Sequence, residues 1–476
     1  VNRIIVIGGG IAGLSAAYYA TRNLQYSEIT LLEASSRWGG KILTDRVDGF
    51  VVEGGPDTFL ATKPWGVALC KELGLGERLH GTNPRQKNTY VLHDGRLHPL
   101  PEGLAMMIPS NIPSILHSRL ISWPGKVRIG LDFLLPPRFP NGDESLGAFV
   151  SRRLGREAYE NLIEPLMSGI YAGDGDALSL SSTFPYLRDL ELTYGSLARG
   201  ALEMRKKMPT TPGSRSAFLT PTTGLAEVVE KLVEHLTVNG ATLRLNTRAV
   251  FVTRDLTHGI WNVELDTGEV LTADGIIIAA PAFAAAGIVS ALDPKLAANL
   301  SAIPYSSTAT VSLAYRQVDL VRPLDGYGYV IPRREGRRAL ACTWTSTKFP
   351  HRAPNGYALI RVFIGRTGQD IPWNATDLLA LAREELAFTL NIRAEPTLSR
   401  VFMWEKAMPQ YNLGHPDLLK SINTALECHP CLALAGNGYR GIGIPDCIHS
   451  GELAIQKILA DMQVESNVLS PAPAIQ

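Results

Sequence analysis

The sequence predicts an α/β protein in which one Rossmann-like domain is assembled from separated stretches of chain, interrupted by a mixed-sheet domain and a helical insertion. Three features point this way. A β-branched run at residues 3–7 feeds a glycine loop and a helix, a second strand, glycine loop and helix recur at 432–460, and a proline-jointed helical region at about 101–221 lies between them. At 476 residues the chain is long enough for about three units of ~150 residues.

Taken in order, Arg3-Ile4-Ile5-Val6-Ile7 reads as a short buried strand, Gly8-Gly9-Gly10-Ile11-Ala12-Gly13 as the turn out of it, and residues 14–22 as a helix. Ile29-Thr30-Leu31-Leu32 is the next strand and ends at Glu33. Leu135-Pro136-Pro137 and Thr211-Pro212-Gly213 mark joints in the helical region. Residues 225–236 have an amphipathic helical pattern; strands are expected at 242–245, 249–252, 261–265, 275–278, 309–315 and 358–363, with a helix at 376–390. The chain then offers a strand at 432–435, a glycine loop at 436–443, a helix at 446–460 and a polar end, 464–476, expected to fray. The uncharged run between Asp274 and Asp293 is long enough to raise the question of a membrane span. Ile276-Ile277-Ile278, Pro281 and the alanines that follow divide it into strand, turn and helix instead.

Lysine plus arginine (46) and aspartate plus glutamate (45) nearly cancel, so no global field draws the chain to nucleic acid. The five cysteines, Cys70, Cys342, Cys428, Cys431 and Cys447, are an odd, sparse set that fits a reducing compartment better than a disulfide framework. Cys428-His429-Pro430-Cys431 has no second CxxC and runs directly into a strand, so it is read as a loop and no metal is expected. With a strand starting within four residues of Val1, no signal or transit peptide is expected in this sequence; an already removed one is compatible with it. Residues 104–135 mix Met106, Met107, Ile108, Ile112, Ile115, Leu116, Leu120, Ile121, Trp123, Phe133, Leu134 and Leu135 with Arg119, Lys126 and Arg128. That composition suits a lipid interface and, equally, a helical subdomain with a buried face.

The glycines of Gly8-x-Gly10-x-x-Gly13 follow a strand and open a helix, and Glu33 stands twenty residues beyond Gly13. This is the pattern of a dinucleotide site: glycine lets the backbone approach a pyrophosphate at the positive end of the helix, and the acid accepts from a ribose hydroxyl. The bland reading is a tight strand-to-helix turn. Glu33-Ala34-Ser35-Ser36-Arg37-Trp38-Gly39-Gly40-Lys41 and Glu53-Gly54-Gly55-Pro56-Asp57 add two more close-approach loops.

With these loops the sequence resembles the FAD superfamily of amine oxidases, phytoene desaturases and protoporphyrinogen oxidases. The segment Ala435-Gly436-Asn437 through Pro445-Asp446-Cys447 looks like that superfamily's second flavin contact, with a helix dipole directed at the flavin. Gly55-Pro56-Asp57-Thr58-Phe59-Leu60, Glu164-Pro165-Leu166-Met167-Ser168-Gly169-Ile170-Tyr171-Ala172-Gly173-Asp174, Leu178-Ser179-Leu180 and Gly443-Ile444-Pro445-Asp446-Cys447-Ile448 narrow the resemblance. Together they are similar to the oxygen-dependent protoporphyrinogen oxidase family, most of all its bacterial members, some of which act on coproporphyrinogen III. The resemblance spans about residues 3–459.

It implies FAD contacts at Gly8 to Gly13, Glu33, Ala34, Arg37, Gly39, Gly40, Lys41, Gly55, Pro56, Asp57 and Thr58. Further contacts are implied at Val250, Trp404, Gly436, Asn437, Ile442, Gly443 and Ile444. It also implies a tetrapyrrole slot lined by Lys63, Gly169, Ile170, Thr308, Leu324 and Trp344, of which the apolar members have core packing, and Lys63 a solvated surface, as ordinary readings. An FAD domain of 1–83, 222–292 and 425–463, a substrate domain of 84–100 and 293–424, a membrane-associated helical insertion of 101–221 and a flexible tail of 464–476 follow on the same ground. So does a cytoplasmic enzyme peripheral on the membrane, or an organellar one if a transit peptide was removed, with a homodimer compatible. Thr89 departs from the plant and animal pattern, which has a propionate-binding arginine at the position before Tyr90; Lys63, Arg85, Lys87 or Arg96 would have to meet the anion instead.

The implied reaction is the six-electron oxidation of protoporphyrinogen IX to protoporphyrin IX by dioxygen, giving hydrogen peroxide. Coproporphyrinogen III to coproporphyrin III is the alternative, and a flavin amine oxidase a more distant one. No side chain is expected as a general base, since flavin N5 accepts the hydride. A non-enzymatic reading exists in the Rab GDP-dissociation inhibitors, which resemble this fold, but the intact glycine loops and Glu33 favour the oxidase.

Overall fold

The computed structural model describes residues 2–23, 27–104, 108, 111–139, 142–207 and 216–469. Met106, Met107 and the joint Thr211-Pro212-Gly213 lie outside the described residues.

Five parallel strands form one sheet in the order Thr242–Arg244, Glu28–Leu32, Arg3–Ile7, Gly275–Ile278, Leu432–Leu434. The chain therefore returns to its first sheet three times, at Thr242–Arg244, Gly275–Ile278 and Leu432–Leu434. Ile4, Val6, Leu31, Ile276, Ile277, Ile278 and Leu432 are all buried, as strands covered on both faces require. Helix Ile11–Asn23 follows the central strand and Ile444–Leu469 follows the last, and the two cross closely at Gly451, where a Cβ would stand 2.4 Å from the Ala12 carbonyl oxygen. Both helix N-termini thus meet the carboxyl edge of the sheet, where the strand order reverses about Arg3–Ile7, the usual ligand position in such sheets.

A seven-stranded mixed sheet runs in the order Leu398–Pro409, Tyr305–Arg316, Tyr357–Ile364, Ala339–Thr343, Gly326–Val330, Asn88–His93, Arg96–Pro99. The strands expected at 309–315 and 358–363 are two of its central members. Helix Ala375–Leu390 lies on one face and buries Leu378, Ala382, Leu386 and Leu390 there. Three antiparallel strands, Ala249–Asp255, Ile260–Leu265 and Val270–Ala273, form a smaller sheet. The last was not expected, because only Ala273 in it is buried and the alternation is too short to read.

The described residues between 112 and 207 are mainly helical as expected, and several of the prolines open helices instead of breaking them. Pro113, Pro124 and Pro185 occupy first turns, where the missing N–H costs nothing, and Pro165 directly follows a π-helical turn within continuous helix. Asn111, Ser122, Ser145 and Ser179 accept from backbone N–H groups at the next turns as N-caps. A π-helical turn, Tyr159–Ile163, precedes helix Glu164–Tyr171, which carries Gly169 and Ile170. The final helix is longer than the expected 446–460, running Ile444–Leu469 with Met462 packed on the Rossmann core; residues 470–476 lie outside the described residues.

Candidate active site

The cradle starts from sterics. Gly8 has φ +114°, and a Cβ on Gly13 would sit 1.8 Å from the Gly8 carbonyl oxygen, so strand, turn and helix interlock only with glycine at these places. Gly10 differs: a Cβ there would meet no protein atom within 4 Å, at the very start of helix Ile11–Asn23. The opening faces a helix N-terminus and is walled by backbone. That is what a pyrophosphate requires, and the residues fit a dinucleotide.

Glu33 stands at the tip of the second strand. Its carboxylate accepts from Gly9 N (2.7 Å) and Ser35 N (2.8 Å), which fixes its direction and leaves lone pairs for a ribose. Ala34 beside it is exposed. The Arg37–Lys41 loop folds back onto the cradle: Gly39 N donates to Gly9 O (2.8 Å), and Arg37 holds the loop by donating to the Trp38, Gly40 and Ile42 carbonyls. Burial pushes the Lys41 ammonium below its usual range.

The next loop is clamped from the seven-stranded sheet. Gly55 packs so tightly on Lys41 that a Cβ would lie 1.9 Å from its carbonyl oxygen. The Gly54 carbonyl accepts from Trp404 Nε1 (2.8 Å), Thr310 Oγ1 (2.8 Å) and Arg361 Nη2 (3.3 Å), and Arg361 Nη2 also donates to the Gly55 carbonyl. Beyond Pro56, Thr58 Oγ1 donates to Asp57. Burial opposes ionisation of Asp57, but Lys348 at 3.1 Å and Arg361 outweigh it and hold its pKa at about 2.

Val250 is the extra residue of a β-bulge, where register shifts between Ala249 and Phe251, and bulges re-aim side chains beside functional sites. The chain leading to it is tied to the ribose end by Thr247 N to Glu33 O and Asn246 N to Ser35 O. At the other end, Gly436 N donates to Ser450 Oγ, while Tyr411 Oη donates to the Asn437 carbonyl (2.6 Å) and His415 Nε2 contacts the Tyr439 carbonyl (2.9 Å). Ile442, Gly443 and Ile444 lead into the last helix, with Ile442 against the helical core and Gly443 N donating to Asp446.

Of the residues expected to line a substrate slot, Gly169 and Ile170 are exposed on helix Glu164–Tyr171, which packs on strands Gly326–Val330 and Ala339–Thr343. Leu324 lies two residues before the first of these strands and Trp344 directly after the second. Trp344 is 2% exposed within the sheet core, 5.6 Å from the Tyr90 ring, and Leu324 is partly buried in that core. Thr308 stands opposite Trp404 in the strand ladder. Lys63 is not a free cation: its Nζ lies 2.6 and 2.7 Å from the two Asp446 oxygens, so an incoming anion competes with that carboxylate. Arg85, Lys87 and Arg96 are exposed. Sequence reading missed Arg361, Lys348, Tyr411 and His415; for Arg361 the available signal was a lone arginine in the apolar run of strand Tyr357–Ile364.

Comparison with known proteins agrees with this geometry. Residues 11–459 match the family described as flavin containing amine oxidoreductase. The coproporphyrinogen III oxidase of Bacillus subtilis is 39% identical, covering 96% of this chain and 98% of its own. The human protoporphyrinogen oxidase is 31% identical, covering 96% and 98%. A crystal structure from Exiguobacterium sp. 255-15 superposes with a TM-score of 0.85 at 33% identity over 97% of this chain and 99% of that one. With its dinucleotide cradle intact, the chain belongs to the flavin containing amine oxidoreductase family, in the branch of coproporphyrinogen III and protoporphyrinogen oxidases, and is an FAD-dependent oxidoreductase.

Proposed function

We propose that this enzyme oxidises a porphyrinogen to its porphyrin with dioxygen as the final acceptor, and that coproporphyrinogen III is the preferred substrate. The observation that carries the preference is the 39% identity to a coproporphyrinogen III oxidase against 31% to a protoporphyrinogen oxidase, each over nearly the whole chain. This reverses the order of the two substrates suggested by sequence motifs alone. When bound, FAD supplies a two-electron acceptor that dioxygen reoxidises with release of hydrogen peroxide, so removal of six hydrogens takes three turnovers.

The chain's residues bind and orient. Gly8 to Gly13, Glu33, Ala34, Arg37, Gly39 to Lys41 and Val250 hold the nucleotide half; Gly55 to Thr58, Trp404, Gly436, Asn437 and Ile442 to Ile444 hold the flavin half. Ile170 and Leu324 provide apolar wall for a tetrapyrrole, with Trp344 buried in the same sheet core as Leu324; Gly169 and Thr308 leave room beside it, and Lys63, released from Asp446, meets a carboxylate. Purified enzyme mixed anaerobically with coproporphyrinogen III should lose its flavin absorbance about tenfold faster than with protoporphyrinogen IX at equal concentration, a difference of ~1.4 kcal/mol in barrier. Faster bleaching by protoporphyrinogen IX would restore that substrate, and bleaching by a polyamine alone would end the porphyrinogen reading.

The helical insertion is read as resting on a lipid surface. Among the described residues no helix is long and apolar enough to cross a membrane. Yet Trp123 (69% exposed), Val127, Leu131 and Leu134 (80% exposed) follow one another at helical spacing, with Lys126 Nζ 4.7 Å from the Trp123 ring and Ile112 and Leu116 also exposed. An apolar stripe with a cation beside it suits anionic lipid. Wild-type enzyme should sediment with vesicles containing phosphatidylglycerol, and the double variant Trp123→Asp, Leu134→Asp should bind at least about tenfold more weakly while turning over dissolved substrate normally. Equal sedimentation of the two would remove this reading.

A further inference from the structure

We propose that Arg361 is a positioning residue for the reaction: from the seven-stranded sheet it fixes the 54–58 loop and so sets where substrate stands relative to the flavin. The proposal rests on the reading of Gly55 to Thr58 as flavin contacts and names what holds them.

Arg361 sits mid-strand in Tyr357–Ile364, opposite Ser312 on one side and Thr343 on the other, and is 3% exposed. Its Nη2 carries two hydrogens, one for each of the consecutive carbonyls Gly54 and Gly55. Its Nε and Nη1 are buried without a protein hydrogen-bond partner, and Arg361 lines a small cavity of about 10 Å³ together with Glu53, Asp57, Ser312, Thr345 and Arg352. Burial lowers its affinity for a proton, with Asp57 and Glu53 acting in the opposite sense.

As a packing element this is a poor choice. Taking a guanidinium out of water costs several kcal/mol, and an apolar side chain of similar length would fill the strand face without that cost. What an apolar residue cannot do is hold two successive carbonyls. Thr310 and Trp404 on the adjoining strands donate to the same Gly54 carbonyl, so three strands of one sheet converge on one loop of the other domain. The strands that converge there also carry Thr308, opposite Trp404, and strand Ala339–Thr343, paired beside Arg361, leads directly into Trp344, so the clamp ties substrate-side residues to the flavin loop.

The test compares wild type with Arg361→Met, Arg361→Lys and Thr310→Val as holoenzymes, measuring kcat and KM with coproporphyrinogen III, FAD affinity of the apoprotein by flavin fluorescence, and melting of the apoprotein. Arg361→Met should melt close to wild type, bind FAD about tenfold more weakly and lose about 10- to 100-fold in kcat with KM nearly unchanged, since loose positioning costs rate. Arg361→Lys, with one cationic donor group, should recover part of the loss. Wild-type kcat and FAD affinity in Arg361→Met, or losses that track only its folded fraction, would overturn the proposal. If Arg361→Met does not fold, Thr310→Val should show the same pattern more weakly, and wild-type behaviour there would overturn it too. A Thr58→Val variant with unaltered flavin spectrum and affinity would remove the flavin reading of the loop itself, and the proposal with it.

Discussion

Gly10→Ala is expected to fold like the parent enzyme and to purify without flavin. Most glycine substitutions in the cradle confound folding with binding. A methyl at Gly13 would lie 1.8 Å from the Gly8 carbonyl oxygen and one at Gly8 2.7 Å from Ala279 O, and backbone does not give by those amounts. Gly10 has no positive φ, and its Cβ would meet nothing within 4 Å, so the apoprotein tolerates alanine. The loss of a glycine N-cap and the gain in chain stiffness roughly offset, leaving stability within about 1 kcal/mol. The methyl enters the open space before the first N–H groups of helix Ile11–Asn23, where a phosphate would sit, so FAD affinity should fall by about 100-fold or more, ~2.7 kcal/mol. Apoprotein melting and flavin titration separate the terms, and a yellow Gly10→Ala enzyme with parental affinity would place the cofactor elsewhere. Gly13→Ala should instead fail to accumulate as folded protein.

Arg153→Ala is expected to loosen the helical insertion while leaving the flavin domain intact. Arg153 and Asp132 are both fully buried, and every N–H of the guanidinium is used: Nε on Asp132 Oδ1 (2.5 Å), Nη1 on the Leu135 and Pro136 carbonyls, Nη2 on the Asp132 and Gly195 carbonyls. Asp132 is completed by Ser196 Oγ (2.6 Å) and Ala198 N (2.8 Å). Helix Leu146–Leu154, the 131–136 segment and the start of helix Leu197–Lys207 are joined at this one point. Removing the cation strands a buried carboxylate and four carbonyls, at a cost of about 3–5 kcal/mol. Proteolysis should then cut the insertion well before flavin absorbance is lost, and parental cleavage kinetics would contradict the account.

How legible the molecule was depended on chain separation. The strand–turn–helix geometry of Gly8 to Gly13 and the place of Glu33 were legible as a pattern because they belong to one βαβ unit, where spacing along the chain is spacing in space. The clamp on Gly54 was not legible: Trp404 and Arg361 are more than three hundred residues away, and no local pattern distinguishes a strand arginine aimed at a flavin loop from one aimed at solvent. The same separation hid the Lys63–Asp446 pair.

Residues 104–135 show where the boundary lies. Composition established that the stretch is apolar, basic and helical. Only the fold decided that Ile115, Leu120, Ile121 and Ile129 turn into the helical core while Trp123, Val127 and Leu134 face outward, and that Asp132 lies fully buried against Arg153. Short-range sterics and periodicity let the sequence alone determine the α/β class and the glycine turn, and its resemblance to a flavin family indicated the cofactor. Burial, charge pairing and the joining of the two sheets depend on contacts between distant segments, so the tertiary structure decided which charged groups are paired and which residues hold the flavin loop in place.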